Sequence, residues 1–70
     1  MERSEALKLL ASKNADDRLR AARALAREGI ESDVPTLKEF FAKETHRWVK
    51  SALRKAVSSL AEVFHSSVTY

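Results

Sequence analysis

Residues 14–28 read NADDRLRAARALARE, and the way this stretch folds decides the reading of everything around it. Its apolar positions Ala15, Leu19, Ala22 and Ala26 recur at the three- and four-residue spacing of a helix face. Asn14 or Asp16 is placed to cap the first amides. Gly29 follows the last periodic residue, where a left-handed conformation closes many helices. The arginines fall largely outside the apolar stripe. Alanines in that stripe let a neighbouring helix come close, and the arginines are left either to water or to an acidic partner.

Displacing the chain against itself by thirty residues reproduces the pattern without a gap. Leu7 then meets Leu37, Lys8 meets Lys38, Leu10 meets Phe40 and Ala11 meets Phe41. Further on, Leu19 meets Val49, Arg20 meets Lys50, Ala22 meets Ala52 and Ala26 meets Ala56. A period of this size signals repeated helix pairs, each unable to bury its apolar face alone. The first helix is expected over about 3–12 and the second to about residue 28. ESDVP starts a third with Ser32 or Asp33 as cap and Pro35 in the first turn. KETHR breaks into a fourth, capped by Thr45 and running to about residue 65. The predicted fold is all-α: two stacked antiparallel helix pairs, about 3–28 and 32–65. They form one domain over 1–65, followed by a flexible tail at 66–70.

Composition agrees and narrows the function. Hydrophobic residues at 44% and charged residues at 33% suit a folded chain rather than a disordered one. A chain of 70 residues is one domain near the lower limit for a self-sufficient core. With no cysteine, neither disulfides nor thiolate zinc ligands are expected. No apolar run reaches the roughly 18 residues that span a bilayer, and MERSEALKLLASK has no signal-peptide pattern, so a cytoplasmic location is the expectation. No cofactor is expected. His46 and His65 lack partners at metal-ligand spacing, and no glycine-rich phosphate loop or nucleophile–base arrangement is visible, so catalysis is not expected.

DDRLRAARALARE (16–28) and THRWVKSALRKAVSSL (45–60) resemble the second helix of a HEAT repeat, and SDVPTLKEFFAKE (32–44) resembles the first helix of the following unit. The resemblance spans about residues 5–62 and implies a HEAT-like α-α superhelix. RWVKSAL (47–53) is also similar to short N-terminal helical modules of bacterial proteins that carry a histidine-kinase-type ATPase domain. The resemblance implies a non-catalytic interaction or adaptor module, perched at the regulatory N-terminus of a larger bacterial protein. It further implies that Arg20 and Lys50 occupy a position that often bridges to an acidic residue of the neighbouring unit.

Placing residues at about 100° per step divides each helix into a shared stripe and a flank. The extra apolar residues Ala21, Ala24 and Leu25 lie to one side of the second helix. Val57, Ala61 and Phe64 lie to the opposite side of the fourth. On this basis the two flanks are expected to face each other, as are Ala6 and Leu9 with Val34 and Ala42. The outer flanks would be polar, with Arg20, Arg23 and Arg27 at one end and Ser51, Lys55, Ser58 and Glu62 at the other.

The candidate binding surface is the inner face of the second and fourth helices, with Arg20, Arg47, Lys50 and Arg54, and Arg27 at its margin. These cations suit an acidic protein partner; pairing with nearby carboxylates is the plainer reading of the same residues. Nucleic acid is the alternative, as in HEAT-like DNA glycosylases, although no aromatic residue interleaves with these cations to stack a base. Self-association is a third reading, with Leu9 or Phe64 hidden in a symmetric dimer. Trp48 is expected to pack against the third helix or the turn, with an exposed anchoring role as the competing reading. Phe40 and Phe41 read as core, and Tyr70 as an unconstrained end.

Overall fold

The computed structural model describes the chain through residue 68, and its side chains through residue 61. Four helices follow one another: α1 (Arg3–Leu9), α2 (Ala15–Glu28), α3 (Val34–Lys43) and α4 (Arg47–Val68). A 3₁₀ turn, Glu31–Asp33, precedes α3, and no strand occurs among the described residues. The fold is all-α. The side chains of Glu62, Phe64 and His65 lie outside the described residues, as does Tyr70. α4 itself reaches three residues beyond the limit expected from the sequence.

The ends of the helices follow from local hydrogen bonding, and several differ from expectation. Asn14 caps α2, its Oδ1 accepting from the Asp16 amide at 2.8 Å. α1 stops at Leu9 rather than near Ser12, because the amides of Ala11 and Ser12 bond to carbonyls three residues back and tighten the last turn. Gly29 ends α2 in an extended conformation, φ −71° and ψ 165°, not the left-handed one. Its lack of a side chain matters for space instead. A Cβ there would collide with the Leu25 carbonyl oxygen and come within 3.0 Å of Leu60 Cδ1.

Thr45 does not cap α4. The first helical bond of α4 runs from the Lys50 amide to the His46 carbonyl, so His46 is the capping residue. Its own amide donates to Glu44 Oε2 at 2.9 Å. At the start of α3, Asp33 Oδ2 accepts from the Ile30 amide at 3.0 Å, which stabilises the 3₁₀ turn, and Pro35 sits in the first turn without losing a bond.

Leu10, Leu25, Leu37, Val49 and Leu53 are fully buried, so both hairpins contribute to one core. Phe40 and Phe41 are only partly buried and pack against its edge. α2 and α4 form the most extensive helix pair, flanked by α1 on α2 and α3 on α4. Ala21, Ala22 and Ala56 are inaccessible to solvent, and small side chains allow the close approach. Ser59 Oγ of α4 lies 3.5 Å from the Ala26 carbonyl oxygen of α2.

The expected flanks are reversed. Arg23 and Arg27 of α2 line the same grooves as Ser51 and Lys55 of α4, so residues expected at opposite ends stand side by side. Val57 of α4 lies instead beside Lys38 and Phe41 of α3. Ala21, Ala24 and Leu25 of α2 are all buried. Ala42 is exposed, so it does not meet α1 as expected.

Candidate interaction site

The four cations singled out from the sequence, Arg20, Arg47, Lys50 and Arg54, are all exposed. Lys50 Nζ lies 5.1 Å from the centroid of the Phe41 ring, on the α3 side of α4. Arg54 borders a mainly apolar slot of 210 Å³ with Lys38, Phe41 and Val57.

A different set converges between α2 and α4. Leu19, Arg23 and Arg27 follow one another at four-residue intervals along α2, which stacks them on one ridge about 12 Å long. Trp48, Ser51 and Lys55 line the facing side of α4, with Ala26 and Ala52 between the ridges. Leu19 stands beside Trp48 and Ala26 is level with Ser59, so the two helices run in the same direction. The trough has overlapping parts of 240 and 490 Å³ and is open to solvent along its length.

Trp48 is the most exposed large apolar side chain among the described residues, at 68%. Of the two expected positions, against α3 or against the turn, it takes the one at the turn. Its ring meets that of His46 edge to face, with centroids 5.8 Å apart, and it borders the trough beside Leu19 and Arg23. Position is the reason: Trp48 lies one residue before the buried Val49, on the side of α4 that turns toward α2. Trp48 stands among Arg23 and Lys55, cations outside the set singled out from the sequence. The sequence signal was the equivalence of Trp48 with Arg18, which marks the place where the two hairpins diverge.

Charge pairing explains which cations remain available. Arg18 donates from Nε and Nη2 to the two Glu44 oxygens at 2.8 and 3.0 Å, and from Nη1 to the Ser12 carbonyl at 2.8 Å. Arg3 donates from Nε and Nη2 to the Asp33 carboxylate at 2.8 and 2.6 Å. These are forked guanidinium–carboxylate pairs, and both connect the first hairpin to the second. The bridging arginines are therefore Arg3 and Arg18, not Arg20.

Asp33 is held below its usual value by the Arg3 hydrogen bonds, which outweigh its desolvation, with the Ile30 amide assisting. Burial pushes Glu44 up, but Arg18 and the amides of His46 and Thr45 together carry it below the usual range. Another surface hollow, 380 Å³ beside Arg18 and Phe40, has Glu44 and Arg18 in its lining, and their charges satisfy each other.

The trough is otherwise composed. Among the described residues its lining carries Arg23, Arg27 and Lys55 and no carboxylate. None of the three joins an ion pair among the described residues. Ser51 brings a hydroxyl to the lining, with no histidine or carboxylate in that lining to activate it. The arrangement can hold anionic groups along a shallow apolar floor. No three potential metal ligands cluster among the described residues, and no described helix is long and apolar enough to cross a membrane.

Compared with known proteins, the chain matches no family model, no curated sequence and no solved structure.

Proposed function

We propose that the chain is a non-catalytic protein-interaction module that receives an acidic partner on the exposed side of α2 and α4. The carrying observation is the α2–α4 trough, whose three cations face no carboxylate among the described residues while the two forked ion pairs lie elsewhere. Fixed positive charge beside exposed apolar surface draws an acidic segment in and holds it. A HEAT-like relationship between the hairpins belongs to this proposal, supported by the thirty-residue repeat and the parallel course of α2 and α4. So does the role of a regulatory segment acting in the cytoplasm of a bacterium.

Isothermal titration with a glutamate-rich peptide tests the reading. The double variant Arg23→Glu/Lys55→Glu is expected to abolish binding, while Lys50→Glu/Arg54→Glu, on the α3 side, leaves most of it. Equal losses from both variants contradict the trough as the site. No binding by the unaltered chain at low salt contradicts the function.

Nucleic acid is the second reading, favoured by the exposed Trp48 ring beside Arg23 and Lys55, which offers a base a stacking surface. Steeply salt-dependent retention of an oligonucleotide in a gel shift would support it. Self-association ranks third, because Leu9 is already packed against the core of its own chain.

A further inference from the structure

We infer that the α2–α4 trough recognises a particular kind of acidic segment: a short helix with one apolar anchor at Trp48 and carboxylates one and two turns further along. This rests on the reading of the chain as an acidic-partner module and adds the partner's pattern to it. The trough is graded along its length. Its Trp48 end joins the exposed indole to Leu19, and the charge follows at Arg23 and Lys55, then at Arg27.

Successive ridge residues Leu19, Arg23 and Arg27 are each about 6 Å apart along the helix. A ligand helix has the same rise. An apolar residue at i and carboxylates at i+4 and i+8 therefore lie in one row that matches the ridge position by position. The alanine floor favours a helix over a bulky loop, because Ala26 and Ala52 leave a shallow channel without obstructing side chains. Charge complementarity commits the occupant: among the described residues three cations and no carboxylate line the channel, so a second copy presenting this same face is repelled. An aromatic anchor flanked by cations is the composition in which truncation of one residue removes much of a binding energy.

The test uses the full chain and two capped synthetic peptides of about twelve residues, equal in net charge and helicity. One carries leucine at i with glutamates at i+4 and i+8; the other has alanine in place of the leucine. The leucine peptide is expected to bind roughly tenfold more tightly and to shift Trp48 emission to the blue. In Trp48→Ala the advantage of leucine disappears, while the weaker, charge-driven binding of the alanine peptide is retained. Trp48→Gln provides a second variant, and far-UV circular dichroism checks that each keeps its helices. Equal affinity for the two peptides overturns the anchor and leaves the acidic-partner reading standing. Failure of both peptides to bind overturns both. A short oligothymidylate of matched charge that binds more tightly than the leucine peptide also overturns the inference, in favour of nucleic acid.

Discussion

Arg3 and Asp33 stand thirty residues apart, at equivalent positions of the two hairpins, and their side chains meet in a forked ion pair of 2.8 and 2.6 Å. Together with Arg18–Glu44 it pins the first hairpin to the second at two places. Both carboxylates are almost inaccessible to solvent, each 4% exposed at the side chain, so each depends on its partner.

Acid should loosen both clasps. The ordinary values are 3.8 for Asp33 and 4.5 for Glu44, and the fold lowers both. Their contribution to stability is complete above those ordinary values and is lost as pH falls through the lower folded-state values. Thermal midpoints recorded from about pH 7 downward are expected to fall in the acid limb. The double variant Asp33→Asn/Glu44→Gln should start lower at neutral pH and decline less steeply in acid. An unchanged acid slope counts against the clasps.

Removing Asp33 is more costly than removing a trough cation. Asp33→Ala leaves the Ile30 amide and the Arg3 guanidinium without their acceptor, and it is expected to cost about 1–3 kcal/mol in urea unfolding. Arg23→Ala, on an exposed and unpaired side chain, should stay within about 0.5 kcal/mol. Comparable losses would place Arg23 in the structural framework rather than on a binding surface.

Gly29→Ala opposes two effects. The backbone angles at Gly29 are open to alanine, and restricting the unfolded chain would stabilise by about 0.4–1 kcal/mol. Against that, the added Cβ runs into the Leu25 carbonyl and crowds Leu60 Cδ1 at 3.0 Å and Asp33 Oδ2 at 3.3 Å. The carbonyl is backbone, anchored by the Gly29 amide at 2.8 Å, and yields little. A net loss of about 1–2 kcal/mol is expected, lowering the melting temperature by several degrees. A raised melting temperature would mean the end of α2 relaxes readily.

The α2–α4 contact tolerates no added volume. Ala22→Leu puts three extra carbons at a site with no solvent exposure and is expected to cost about 1–3 kcal/mol. Leu25→Ala, removing a fully buried side chain, should cost about 2–5 kcal/mol. For a domain of this size the latter approaches the whole margin of stability. Chemical denaturation of the two variants measures both losses, and a neutral Ala22→Leu would mean the helices separate there easily.

Much of the architecture was legible because it is encoded locally. The stripe Ala15–Leu19–Ala22–Ala26, the Asn14 cap and the limit at Glu28 each depend on neighbours within one or two turns. α2 forms where they place it. The repeat likewise locates Leu37 and Val49 in the core. Errors arose where one local pattern served more than one neighbour. The apolar flank of α4 suits α2 by its spacing, but Val57 stands beside Lys38 and Phe41 of α3. Thr45 was the better cap by residue type, yet Glu44, already bound to Arg18, takes the His46 amide.

The site was less legible for the same reason. Arg20, Arg47, Lys50 and Arg54 are all exposed, as their spacing implies, but the nearness of Lys50 to Phe41 and of Arg54 to the α3 slot depends on a second helix. Trp48 was visible as the single tryptophan, but its exposure depends on which side of α4 meets α2.

By itself the sequence determined that four helices form, roughly where they begin and end, and which stripe of each is apolar, because these depend on hydrogen bonds and side-chain spacing along one segment. Tertiary structure alone decided which helix covers which flank, which arginines find carboxylates, and which cations remain to line a trough. Those outcomes depend on distances between segments thirty residues apart, and a helical period carries no record of them.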